Sequence, residues 1–71
     1  MITKDNLRKD IFEALKNKPK EWRDGQFVFN WVYDNLGVAV NAQNRGVDCY
    51  YDDSKIDDFI DCCYNILARA Q

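Results

Sequence analysis

Between positions 27 and 36 this chain places seven large apolar residues: Phe27, Val28, Phe29, Trp31, Val32, Tyr33 and Leu36. Within 71 residues, no other segment restricts the fold as much. A helix that is apolar on nearly every side belongs in the middle of a fold or at an interface. The same aromatic and β-branched residues would also suit a strand. The length of the run and the Gly37 stop favour a helix over 25–36, capped by Asp24.

The flanking segments carry narrower stripes. Leu7, Ile11, Ala14 and Leu15 recur at helical spacing, which predicts a first helix over 4–17. Thr3 reads as its N-cap, with Ile2 and Leu7 at the two positions of a hydrophobic staple. Lys18-Pro19 ends it, because proline disfavours helical geometry in the residue before it. Ile56, Phe59, Ile60, Cys63 and Leu67 form a second stripe, predicting a helix over 55–69. Ser54 with Asp57 reads as its capping box. Residues 38–43 suit a short helical turn, and their alternation would equally suit a short strand. The expected fold is all-α: a single domain of three main helices plus one short turn. Ten aromatic residues, each able to bury about 150–250 Å², supply a core and argue against disorder.

Charge is divided along the chain. Residues 1–23 carry a net +3 and residues 24–71 a net −5. Attraction between the two ends, within one fold or between copies, accounts for this most simply; two differently charged binding faces is the sharper alternative. The net charge of −2 implies no nucleic-acid partner. No apolar run reaches the ~18 residues that cross a bilayer. The polar start at Met1–Asp5 lacks an export signal, so the expectation is a cytoplasmic protein with no membrane association. Cys49, Cys62 and Cys63 read as reduced thiols. Cys63 lies on the apolar stripe, while Cys49 and Cys62 are expected to be partly exposed.

Catalysis and cofactors find little support. The chain has no histidine, which removes the usual neutral-pH acid–base group and any activating partner for a cysteine nucleophile. Its three glycines, at 25, 37 and 46, build no phosphate loop. The acids Asp48, Asp52, Asp53, Asp57, Asp58 and Asp61 lack the ligand order of a calcium loop. They read as turn formers, a cap and solvated surface, and the alternative is an acidic mimic of DNA. The basic connector Lys16–Arg23, with Trp22 inside it, is the element that a nucleic-acid-associated protein would use. The expectation is a non-enzymatic chain with no cofactor and no metal.

Two segments resemble a known set of proteins. One is Arg23-Asp24-Gly25-Gln26-Phe27-Val28-Phe29-Asn30-Trp31-Val32-Tyr33. The other is Gly46-Val47-Asp48-Cys49-Tyr50-Tyr51-Asp52-Asp53-Ser54-Lys55-Ile56-Asp57-Asp58-Phe59. They are similar to small bacterial and phage-associated proteins with Arg-x-Gly-Gln-x-x-Phe-Asn early and aromatic-Asp-Asp-Ser-(Lys or Arg)-Ile-x-x-Phe later, to which no activity is attached. The likeness covers residues 23–59, about half the chain. It implies a phage or bacterial setting and nothing about mechanism. Cys49 stands where such proteins often carry proline.

The residues themselves suggest a polar cluster. Gln26 and Asn30 are four apart and share a helix face. Buried polar groups need partners, and the Asp52-Asp53-Ser54 turn is the nearest source. Arg23, Gln26, Asn30, Asp52, Asp53 and Ser54 are thus expected to form a lock or a recognition site. Trp22, Phe27, Phe29, Trp31 and Tyr33 are the expected interface aromatics, because two single-stripe helices cannot cover all of helix 25–36. The Phe27/Trp31 side or the Phe29/Tyr33 side should stay open. The function expected is protein binding or regulation, with a different protein or a second copy in a homodimer as partner.

Overall fold

The structure, a computed structural model, describes residues 3–70. Four helices follow one another: α1 over Lys4–Leu15, α2 over Asp24–Asn35, α3 over Ala39–Asn44 and α4 over Ile56–Ala70. A single 3-10 turn, Asp53–Lys55, leads into α4. No strand occurs among the described residues, so both 25–36 and 38–43 resolve as helical.

Thr3 caps α1 as its sequence predicts, accepting from the Asn6 amide at 3.1 Å. The proposed staple partner, Ile2, lies outside the described residues. The helix stops at Leu15 rather than residue 17. Ahead of Pro19 the backbone tightens, with Lys16, Asn17 and Lys18 amides donating to Glu13, Ala14 and Leu15 carbonyls three residues back. Such i→i+3 bonds end α-helices that cannot continue.

α2 begins at Asp24, one residue earlier than expected, and Asp24 does not cap it. The N-cap position falls on Arg23, whose side chain makes no capping bond. The helix ends where Gly37 turns the chain at φ +73°. α3 ends in a Schellman arrangement: Gly46, at φ +83°, donates to the Gln43 carbonyl and Val47 donates to Ala42. Glycine supplies the left-handed backbone that this closure requires.

One core joins all four helices. Leu7 and Ile11 come from α1, Val28 and Val32 from α2, Ala39 and Ala42 from α3, and Phe59, Ile60 and Cys63 from α4. The α4 stripe is buried as the spacing predicts. α2 turns only Gly25, Val28 and Val32 fully inward, so much of its aromatic surface lies elsewhere. Charge pairing ties α1 to α4: Arg8 meets Asp57 at 2.8 Å and Lys4 meets Asp61 at 3.2 Å. The opposite charges of the chain's two ends therefore meet within the fold.

The start of α4 differs from expectation. Ser54 is not its N-cap and Asp57 completes no capping box. Asp52 caps the 3-10 turn that leads into α4, accepting from the Ser54 amide at 3.0 Å and from the Ser54 hydroxyl at 2.6 Å. The intervening 3-10 turn moves the cap two residues upstream and leaves Asp57 turned toward Arg8.

Candidate functional site

Two structures sit on opposite sides of α2. On one side, the loop 49–53 docks on the helix N-terminus. The Gly25 amide, one of the unpaired donors of the first turn, donates to Asp53 Oδ1 at 2.9 Å. The cap that Arg23 cannot supply thus arrives from a residue 28 positions away. The Cys49 thiol donates to the Gly25 carbonyl at 3.2 Å. Arg23 donates to the Tyr50 carbonyl at 2.7 Å and its guanidinium lies 5.7 Å from the Tyr51 ring centroid. Gln26 reaches the Tyr50 hydroxyl at 3.4 Å.

Glycine is required at position 25 by this approach. A Cβ there would collide with the Cys49 carbonyl oxygen and stand 2.8 Å from Asp53 Oδ1. Phe29 completes the contact from within, stacked on Phe59 and edge-on to Tyr50, each at 5.6 Å between centroids.

Of the six residues expected in the polar cluster, Arg23, Gln26 and Asp53 do join α2 to the loop. Asp52 and Ser54 bond each other at the 3-10 turn before α4. Asn30 does not join the cluster: it lines the groove described below and makes no described hydrogen bond, although it lies only about 40° round the helix from Gln26. Gly25, Cys49 and Tyr50 were absent from the expected cluster. Cys49 is fully buried rather than partly exposed, and burial, reinforced by the Asp48 carboxylate, pushes its thiol up to about 12. Burial also pushes Cys63 up to about 12. Neither thiol is poised as a nucleophile.

On the other side of α2 lies an open groove of about 510 Å³. The connector supplies Pro19 and Trp22; α2 supplies Phe27, Asn30, Trp31, Asp34 and Asn35. Trp22 tilts against Phe27 at 59° and 6.4 Å. The connector is held in place by Lys18, which donates to the Trp22 carbonyl at 2.8 Å and pairs with Asp24 at 3.5 Å. The volume falls in the usual range for ligand sites, roughly 300–1,000 Å³.

The five expected interface aromatics therefore divide. Trp22, Phe27 and Trp31 line the groove. Phe29 is turned into the core, and Tyr33 stands 56% exposed apart from the groove. Of the two sides of α2 weighed from sequence, the Phe27/Trp31 side is the one that forms a concave surface. Pro19, Asp34 and Asn35 were not singled out in the sequence. The i, i+3, i+4, i+7 series Phe27, Asn30, Trp31, Asp34 was the available signal.

The acidic segment is spent internally. Asp48 accepts from the Tyr50 amide at 2.8 Å and from Gln43 at 3.0 Å; Asp52, Asp53, Asp57 and Asp61 have the partners given above. Among the described residues, no group of three or more histidine, cysteine, aspartate or glutamate side chains is placed to hold a metal ion. No described helix is long and apolar enough to cross a membrane. No protein-family model, curated protein or solved structure matches this chain.

Proposed function

We propose that this chain is a small, non-enzymatic protein-binding or regulatory module that engages its partner through the Trp22/Phe27/Trp31 groove. The observation that carries this reading is the groove itself: three half-buried aromatic side chains, Trp22, Phe27 and Trp31, converge on one concave surface beside the exposed Asp34 and Asn35. Aromatics are the residues that most often anchor interfaces. The anchoring of the connector by Lys18, bonded to the Trp22 carbonyl and paired with Asp24, supports it, since a preformed surface costs less ordering on binding. The absence of histidine from the sequence and the two thiols raised to about 12 support a non-enzymatic role. Three free cysteines suit a reducing, cytoplasmic setting. The two sequence segments described above favour a phage-encoded or mobile-element origin.

The nucleic-acid alternative draws less support. In the basic connector, Lys16 pairs with Glu13 at 3.2 Å, Lys18 with Asp24, and Arg23 with the Tyr50 carbonyl. Lys20 is its one base with no described partner. A DNA mimic needs unengaged acids, and of the acids of 48–61 only Asp58 has no described partner within the chain.

Affinity capture from the native host tests the proposal by comparing wild type with Asp34→Arg, which places a long side chain in the groove. A protein retained by wild type and released by Asp34→Arg, at unchanged melting temperature, is the expected result. Equal retention by both, or a salt-steep shift of DNA or RNA by the wild type, counts against it.

A further inference from the structure

The groove's lining has a chemical bias. Asp34 is its one charged residue, and no ion pair or hydrogen bond engages its carboxylate among the described residues. Asn35 spends its amide nitrogen on the Trp31 carbonyl at 2.9 Å, which leaves its side-chain oxygen as an acceptor. Asn30 is half-buried, with its side-chain amide making no described hydrogen bond. Of the bases beside the lining residues Pro19 and Trp22, Lys18 is held by Asp24 and the Trp22 carbonyl and Arg23 by the Tyr50 carbonyl, while Lys20 has no described partner and does not line the groove. The lining is thus rich in acceptors and π faces and includes no cation.

That combination complements a planar cation. Arginine stacks on aromatic rings and presents five donors in a fixed fork, whereas lysine offers a compact, strongly hydrated point charge. Resting on the protein-binding reading above, we infer that the groove takes an arginine side chain from an extended segment of a different protein, with the guanidinium against the indoles and bonded to Asp34. A volume of about 510 Å³ exceeds one side chain, so residues flanking the arginine enter with it. The chain's own arginines fit the role poorly. Arg8 and Arg23 are engaged elsewhere, and Arg45 is the C-cap of α3 and Arg69 lies in the last turn of α4, neither on an extended segment.

The two tryptophans of the sequence both line the groove, so their indole N–H signals report on it directly. Acetylated, amidated Gly-Pro-Arg-Pro-Gly would be titrated into the ¹⁵N-labelled full chain, beside versions with citrulline or norleucine replacing arginine. The arginine peptide should shift both indole signals saturably and bind about tenfold more tightly than the citrulline peptide, the scale of one charge-assisted contact. Asp34→Asn should abolish that preference without lowering the melting temperature. Equal binding of citrulline, or a preference that survives Asp34→Asn, overturns the inference. Tighter binding of norleucine also overturns it while leaving a protein-binding groove in place. No indole shift with any peptide up to about 10 mM overturns it too, and host capture then tests the broader reading separately. Indole shifts that follow protein concentration without peptide, matched by a sedimenting dimer, would assign the groove to a second copy and overturn it.

Discussion

The Gly25 amide donates to the Asp53 carboxylate at 2.9 Å across 28 positions of sequence, so the first turn of α2 is capped by the loop that leads into α4. This single bond makes helix initiation and tertiary docking one event. It also explains the absence of a side-chain cap at Arg23. Gly25→Ala should be disruptive well beyond its size. The added methyl meets the backbone of Cys49, which cannot rotate away as a flexible side chain would. Overpacking of this kind costs about 1–3 kcal/mol. In a domain this small, each kcal/mol lowers the melting temperature by roughly 4–8 °C. Calorimetry checks it; an unchanged melting temperature would mean that the loop does not rest on Gly25.

The cap of the 3-10 turn that leads into α4 gives a ranked pair of variants. Asp52 accepts both the amide and the hydroxyl of Ser54, so Asp52→Ala should lower the melting temperature more than Ser54→Ala. The Ser54 hydroxyl and amide also hold the Asp52 carboxyl below its ordinary value, which is about 3.9. A depressed folded pKa means that the unfolded chain binds the proton more readily, so stability rises with pH in that window. The difference between wild type and Asp52→Ala should be complete above about pH 5 and fade as acid protonates the folded carboxyl. Melting temperatures measured from neutral to strongly acid pH would show the two curves converging; parallel curves would remove Asp52 as the cap.

Much of this architecture is legible in the residue order, and the exceptions have physical causes. The stripes of α1 and α4 predict their buried faces because a single apolar face leaves one way to pack. Gly37 and Gly46 mark helix ends because few other residues adopt positive φ. Helix 25–36 was harder: apolar residues on every side do not say which side is covered. The answer depends on Gly25, whose missing side chain admits the Cys49 backbone, and a close approach between residues 24 apart leaves no local pattern. Cys49 looked like a loop thiol for the same reason. Ser54 looked like a cap because a 3-10 turn cannot be distinguished from the start of an α-helix by spacing. Gln26 and Asn30 share a helix face at i, i+4 spacing, but spacing does not say that the 49–53 loop reaches only the Gln26 end of that face.

The cysteines should separate by environment. Cys49 and Cys63 are fully buried with thiols at about 12, while Cys62 is partly exposed. A thiol-reactive aromatic disulfide at mildly alkaline pH should label one site quickly and the other two only in denaturant. Mass mapping should place the fast adduct at Cys62. Rapid native labelling of Cys63 would displace the α4 stripe from the core.

The α1–α4 ion pairs should guide packing more than they strengthen it. The Arg8 and Asp57 side chains are 35% and 68% exposed, and exposed pairs contribute about 0.2–1 kcal/mol. A double-mutant cycle with Arg8→Ala and Asp57→Ala should give a coupling in that range. It should shrink toward zero near 1 M salt, where the screening length falls to about 3 Å. A salt-independent coupling would indicate that lost packing, such as Arg8 over the Phe12 ring at 5.4 Å, dominates instead.

The central claim is that a partner protein docks against the outer face of α2. A photoreactive phenylalanine analogue replacing Asn35, which lines the groove, tests it most directly when compared with the same group replacing Lys9, an exposed position on α1. In the native host, irradiation should yield a discrete protein adduct from position 35 and none from position 9, and Asp34→Arg in the same chain should suppress it. No adduct from position 35, or the same adducts from both positions, would contradict the account.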